Sequence, residues 1–177
     1  MTVVVSATED LTAAQRSAVI AVCVAAHESD DFNNLFTYID AGGRHFLGYR
    51  GSDLASHAVV TTRWLQPDGQ PLLKTAFVDA VSTLPAYQHE GHASAVMRRL
   101  AAEIDDYDVG CLQTDIPGFY ERLGWQVWSG PLAGRSPDGL IPTPQQAGVM
   151  ILRLSRTPSL DVESQLTIEC QPHRIWE

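Results

Sequence analysis

Apolar and polar positions along the chain change period several times, and each change marks an element. Val3-Val4-Val5 is a short β-branched run that suits a pleated surface. From Thr12 the spacing lengthens. Ala14, Ala18, Val19, Val22 and Cys23 recur near helical intervals, which predicts a helix capped by Thr12 and ending about Ala26. Asp30 to Asn34 interrupts it, a short helix is expected over Leu35 to Ile39, and Gly42-Gly43 stops the pattern. Strands are expected over His45 to Tyr49, Ala55 to Leu65 and Leu72 to Thr83. The turn segments Arg50-Gly51-Ser52-Asp53 and Gln66-Pro67-Asp68-Gly69 separate them, as in an antiparallel meander. Ala93, Val96, Met97, Leu100, Ala101 and Ile104 then lie on one helix face. Val109 to Thr114 reads as a strand, Gly118 to Leu123 as a short helix ended by Gly124, and Trp125 to Trp128 as a strand. A Gly/Pro-rich loop leads to a core strand over Gly148 to Leu154, and the tail 156–177 adds a last strand over Leu166 to Ile168. The order predicts an α/β mixed sheet in one domain, 1–177, with the tail folded back on it.

Charge narrows the partners. The 177 residues carry 21 acidic and 12 basic side chains, a formal net charge of −9. Such a surface repels nucleic acid and offers no basic patch to overcome the repulsion. It favours a cationic small molecule or basic peptide, or simply keeps the protein soluble. No apolar run approaches the roughly 20 residues of a membrane span, and the first residues do not read as a secretion signal. Cys23, Cys111 and Cys170 are dispersed and odd in number, as expected of reduced thiols in a cytoplasmic protein. His27, His45, His57, His89 and His92 show no ligand spacing, so no metal is expected.

The chemistry concentrates where the third strand of the meander meets the most amphipathic helix. The turn Gln88-His89-Glu90-Gly91-His92-Ala93 has the form Q-x-x-G-x-A. A glycine there permits a tight turn whose backbone N–H groups converge. The following helix adds its unpaired N–H groups and the positive end of its dipole, making a cradle for a pyrophosphate. Neither the three-glycine dinucleotide turn nor a P-loop is present.

This turn resembles the Q/R-x-x-G-x-G/A signature of GNAT-superfamily N-acetyltransferases, and Tyr120-Glu121-Arg122-Leu123-Gly124-Trp125 is similar to a second segment of that family. The resemblance implies the GNAT fold, a mixed and mostly antiparallel central sheet flanked by helices, and acetyl-CoA as cosubstrate. It implies that Val81, Ser82 and Thr83 present backbone groups to the pantetheine arm. Gln88, His89, Gly91, His92 and Ala93 would hold the pyrophosphate. Tyr120 matches a tyrosine that donates a proton to the departing thiolate, with a core aromatic as its alternative role. Asp79 stands where the similar enzymes place a glutamate that removes a proton through a water; its alternative roles are pairing with a neighbouring strand or holding a substrate ammonium.

More narrowly, the chain resembles aminoglycoside 2′-N-acetyltransferases, which confer antibiotic resistance. The segments are Asp31-Phe32, Gly42-Gly43-Arg44-His45, Phe77 to Val81, Gly124-Trp125-x-x-Trp128-x-Gly130-Pro131, Thr143-Pro144 and Leu160-Asp161 through Ile175-Trp176. Substrate binding is accordingly expected of Asp30, Asp31, Phe36, Asp79, Asp115, Trp176 and Glu177. Phe36 and Arg174 replace acids of the similar enzymes, which points to an acceptor with fewer amino groups, such as kasugamycin, or to another amine. The alternatives are a polyamine, small-amine or protein N-terminal acetyltransferase, and a non-catalytic acyl-CoA-binding module. A homodimer is compatible with the superfamily.

Overall fold

The computed structural model describes residues 1–39, 42–172 and 174–176. Among them are ten strands: β1 (Thr2–Ala7), β2 (Arg44–Arg50), β3 (Asp53–Pro67), β4 (Leu73–Thr83), β5 (Val109–Gln113), β6 (Gln126–Val127), β7 (Leu132–Ser136), β8 (Gly139–Pro142), β9 (Val149–Arg153) and β10 (Leu166–Glu169). Four α-helices accompany them: α1 (Ala13–His27), α2 (Leu35–Tyr38), α3 (His92–Ala102) and α4 (Pro117–Glu121). The chain divides into two compact units, Met1–Thr61 with Val78–Glu103 and Thr62–Phe77 with Ile104–Glu177; β3 and β4 each contribute to both.

In the first unit, α1 begins at the expected cap. The Thr12 hydroxyl accepts the Gln15 N–H (3.2 Å), and the Gln15 side chain accepts the Thr12 N–H (3.0 Å). Its apolar face buries Val19, Val22 and Cys23 against Leu35, Leu47, Leu54, Val59 and Ala80. β2 lies between β1 and β3, antiparallel to each, with Val4 opposite Leu47 and Leu47 opposite His57. Helix α3 packs on β1 and β2. Gly48 makes that approach possible, since a Cβ there would lie 2.9 Å from Val96 Cγ2.

In the second unit, β5 runs parallel to β4, β9 antiparallel to β5, and β6 antiparallel to β9. The tail strand β10 inserts between β3, to which it is antiparallel, and β7, to which it is parallel. The region expected to be a Gly/Pro-rich loop contains the β7–β8 hairpin. Its turn is Pro137-Asp138, β8 begins with Gly139 at φ +126°, and the dense glycines and prolines on either side conceal the short apolar stretches from a reading by period.

Arg63 ties the tail to β3. It is 1% exposed, and its Nε donates to Glu169 Oε1 at 2.7 Å. Its Nη2 donates to the carbonyls of Glu169 (2.6 Å) and Ile175 (3.0 Å), and its guanidinium stacks 5.1 Å from the Phe77 ring centroid. Truncating Glu169 to alanine leaves this cation without its counter-charge. The expected cost in urea unfolding is about 2 kcal/mol, below the usual figure for a fully buried pair because the Glu169 side chain is 32% exposed. The exposed Arg99–Glu103 pair on α3 provides the contrast: Glu103→Ala should cost about 0.5 kcal/mol or less.

Candidate functional site

In the first unit, β4 leads through a single 3₁₀ turn, Pro85–Tyr87, into the Gln88–Ala93 segment. His89 and Gly91 take left-handed conformations, φ +63° and +84°. Gly91 caps α3, and a Cβ built on it would meet nothing within 4 Å, so its freedom serves the backbone and the space above it is open. The N-terminal turn of α3 follows with its N–H groups and positive dipole end. The chain around this cradle is braced from outside. Gln88 Nε2 donates to the Thr83 carbonyl (3.3 Å), Tyr87 OH to Asp53 Oδ2 (3.1 Å), and Arg50 lies across the Tyr87 ring. His92 is 8% exposed, with Nε2 3.2 Å from Glu90 Oε2 and Nδ1 on the Met1 sulfur. Its imidazole is thus committed to the unit's own packing, leaving the backbone N–H as its contribution at the turn. Ala93 is half-buried at the first turn of α3, and Val81 and Thr83 are half-buried on β4.

Six residues before the 3₁₀ turn stands Asp79, half-buried, its Oδ1 accepting the N–H of Ala80 at 3.0 Å. Ala80 itself has φ +49°, a left-handed alanine inside a strand, a conformation that costs roughly 1–2 kcal/mol. Its carbonyl gathers donors. His57 Nδ1 lies 3.0 Å away and Ser82 Oγ 3.1 Å away. Behind His57, its Nε2 is 2.9 Å from His45 Nδ1, and His45 Nε2 is 3.0 Å from Thr8 Oγ1. His45 and His57 are fully buried and Thr8 is 5% exposed. His27 Nε2 reaches Ser82 Oγ at 3.0 Å, and its ring stacks on Phe32.

Protonation of the buried pair follows from burial. Desolvation pushes His57 down to about 4 from an ordinary 6.5. Desolvation first, then the neighbouring His57 and Arg16, pushes His45 down to about 3. Both rings are neutral at pH 7. The pair was legible only as histidines without ligand spacing. Their juxtaposition depends on strand register, with His45 opposite Val59 and His57 opposite Leu47.

The expected acidic region lies on the 3₁₀ segment Asp30–Asn34, where Asp30 and Asp31 are exposed. Ser29 caps it, accepting the Asp31 N–H and donating to Asp31 Oδ2 at 3.1 Å. Phe36 is half-buried in the core beside α1, tilted against His45, and the Arg16 guanidinium lies 4.7 Å from its centroid.

In the second unit, Tyr120 sits on α4, 6% exposed and edge-on to Trp125. Burial, and then the charge of Asp115, pushes its phenol up to about 12, so it keeps its proton through the neutral range. Asp115 is exposed just before α4. Trp176 lies in the core of this unit, 1% exposed, its indole N–H donating to Thr143 Oγ1 at 3.1 Å. That placement makes it an anchor for the tail, with no ring face open to solvent. Glu177 lies outside the described residues. Among the described residues no group of three or more His, Cys, Asp or Glu side chains is arranged to hold a metal, and no helix is long and apolar enough to cross a membrane.

A family model described as an acetyltransferase (GNAT) domain matches residues 8–128. Among solved structures, Eis1 from Mycobacterium abscessus is 19% identical with a TM-score of 0.60 over 75% of this chain, and this chain spans only 32% of its length. The GNAT-family N-acetyltransferase YhbS from Escherichia coli, solved in complex with CoA, is 13% identical with a TM-score of 0.63, covering 97% of this chain and 91% of its own. The ribosomal-protein-S18-alanine N-acetyltransferase from Escherichia coli is 17% identical with a TM-score of 0.58, covering 90% and 97%. These likenesses establish the fold as α/β of the GNAT type, a mixed and mostly antiparallel sheet flanked by helices.

The depressed histidines couple stability to pH. An unfolded chain takes up protons on these rings as pH falls below about 6.5, while the folded chain resists until about 4 for His57 and about 3 for His45. Their contribution is therefore fully present above pH 6.5 and is lost as pH falls toward 4, with a slope approaching about 1.4 kcal/mol per pH unit for each ring. Thermal melts from pH 7.5 to 4 should show this fall. His57→Asn, which removes one of the two titrating rings, should make it shallower, and an equal slope in the variant would refute the assignment.

Proposed function

The chain belongs to the GNAT acetyltransferase family, and we propose on that premise that it is an acyl-CoA-dependent N-acetyltransferase acting on a cationic amine. The observation that supports coenzyme binding most directly is the turn at Gly91. A left-handed glycine with open space above it leads straight into the N-terminus of an eleven-residue helix. The donor set consists of backbone N–H groups around Gln88, His89, Gly91, His92 and Ala93, which suits an anionic pyrophosphate. Val81, Ser82 and Thr83 would meet the pantetheine arm with main-chain groups. Acetyl-CoA, when bound, supplies an acyl group activated as a thioester.

Asp79 is our assignment for the group that draws a proton from the incoming ammonium, through a water because an aspartate is short. Tyr120, held protonated by burial, is our assignment for the proton donor to the leaving thiolate. For the acceptor we propose an aminoglycoside with few amino groups, acetylated in the manner of a 2′-N-acetyltransferase. The net charge of −9 and the exposed Asp30–Asp31 pair favour a polycation, while Phe36 in place of an acid, with the Arg16 guanidinium over its ring, limits the number of amines accommodated. That same cation favours a small monoamine as the second reading.

Acetyl-CoA should bind and raise the melting temperature. Mass spectrometry of kasugamycin, kanamycin and spermidine incubated with protein and acetyl-CoA should show a gain of about 42 Da, one acetyl group in place of one amine hydrogen, on an aminoglycoside first. Gain on spermidine alone would replace the acceptor proposal, and coenzyme binding with no transfer to any amine would replace catalysis by sequestration. Asp79→Asn and Tyr120→Phe should each lower kcat by about tenfold to a hundredfold with coenzyme affinity within about twofold. Unchanged turnover in either variant removes that residue from its role.

A further inference from the structure

A left-handed alanine inside a strand does not hold itself in place. The residue lacks the permissiveness of glycine, and turning its peptide out of the ladder leaves a buried carbonyl that must find a donor. In this chain the carbonyl of Ala80 is met at 3.0 Å by His57 Nδ1, while the N–H of the same residue is met by Asp79 Oδ1 at 3.0 Å. Residue 80 is therefore gripped at both ends, one end by a buried imidazole and the other by the carboxylate assigned above as the proton acceptor.

The direction of the hydrogen bonds follows from the one group whose role is fixed. A carbonyl only accepts, so His57 Nδ1 carries a proton. In a neutral ring Nε2 then accepts, and the group facing it, His45 Nδ1 at 2.9 Å, must donate. His45 Nε2 accepts in turn, from the Thr8 hydroxyl at 3.0 Å. The Gly43 carbonyl, 3.1 Å from the same hydroxyl, also receives the Thr8 N–H at 2.8 Å, so it keeps a donor when the hydroxyl proton turns to the ring. The result is a one-way series, Thr8 to His45 to His57 to Ala80, running from the start of the chain to β4 through three residues of which none is more than 5% exposed. Each proton position is compelled by the next, and an imidazole with the wrong tautomer would leave two acceptors facing each other.

We propose that His57, with its tautomer set by His45 and Thr8, is a positioning residue for acyl transfer: it clamps the Ala80 carbonyl, fixes the left-handed turn of β4, and through the Ala80 N–H sets the orientation of the Asp79 carboxylate. The inference rests on the assignment of Asp79 as proton acceptor. Cys23, whose thiol lies 3.7 Å from His57 Nδ1, and Ser82 pack beside the same carbonyl. Ser82 Oγ donates to the same oxygen and can accept from His27 Nε2 as it does so, so it shares the clamp with the ring, while the Cys23 thiol is a weak donor.

The test uses two substitutions that divide the ring between them. His57→Asn places an amide nitrogen where Nδ1 was and can still donate to Ala80. His57→Gln places it where Nε2 was and cannot. With kasugamycin or kanamycin as acceptor, H57Q should lose about tenfold or more in kcat while H57N stays within about threefold, each with KM for acetyl-CoA within about twofold. The H57Q/D79N double variant should be no more than about threefold slower than D79N, since the two act through one group. Equal losses in H57Q and H57N, or losses that multiply with D79N, would overturn positioning while leaving the Asp79 assignment standing. An intact turnover in D79N alone would remove the Asp79 assignment itself, whatever the His57 variants do. Independently of any acceptor, imidazole ¹⁵N spectra of the unsubstituted protein at pH 7 should show His45 and His57 as neutral rings protonated on Nδ1. A neutral His57 protonated on Nε2 would overturn the inference.

Discussion

A backbone carbonyl buried without a donor costs more than almost any single contact returns, and the first unit of this molecule is arranged so that one such carbonyl is never left alone. Ala80 turns left-handed inside β4, and His57, Ser82 and the Cys23 thiol converge on its oxygen. Meeting that demand places a histidine on β3, a second on β2 and a threonine just after β1 in mutual contact, so three segments far apart in sequence are fixed in register by one peptide group. The apolar core around Leu47, Val59 and Val22 supplies most of the free energy of burial. The polar series supplies uniqueness, because a slip of one residue in β2 or β3 would turn His45 or His57 to the other face of the sheet.

The second unit solves a different problem with a similar device. Its tail returns as β10 between β3 and β7, and the buried Arg63 receives it with one carboxylate and two carbonyls. The segments that made the chain look like a particular kind of acetyltransferase gain a second meaning here. Trp128 donates its indole N–H to the Ser164 carbonyl, Gly130 lies where a Cβ would collide with the Ser164 oxygen, and Thr143 accepts from Trp176. All of these hold the tail to its unit. Trp176 is placed as an anchor of the tail.

Elements whose stability is local could be read from the chain. The Thr12 cap, the face of α3 from Val96 to Leu100, and the length of β4 all depend on residues within a few positions of one another, and the structure has them within one to three residues of expectation. The left-handed turn at Gly91 was legible for the same reason: a glycine before an amphipathic helix is a short-range statement. The β7–β8 hairpin was hidden because glycine and proline mark turns and irregular segments alike. β10 was visible as a strand, but its insertion between β3 and β7 was not, since parallel pairing across more than thirty residues leaves no periodic trace. The His45–His57 contact failed to show for a related reason. Two histidines twelve residues apart acquire a relation only through the register of a hairpin, and no ligand spacing announces it.

The two histidines also bear on why a carboxylate can serve at position 79 at all. The Oδ1 of Asp79 accepts the Ala80 N–H. In a regular strand that N–H would belong to the ladder and the side chain would stand perpendicular to the sheet. The left-handed turn frees the N–H to bind the aspartate, and the donor that makes the turn tolerable is a neutral imidazole whose own proton is dictated by its neighbour. Were His57 charged, a buried cation would lie within two hydrogen bonds of the carboxylate and weaken it as a base. Burial keeps the ring neutral, so the same desolvation that makes the histidine pair a liability at low pH keeps a buried charge away from position 79 at neutral pH. Orientation of the carboxylate and neutrality of its support are, on this argument, a single requirement met by one pair of rings.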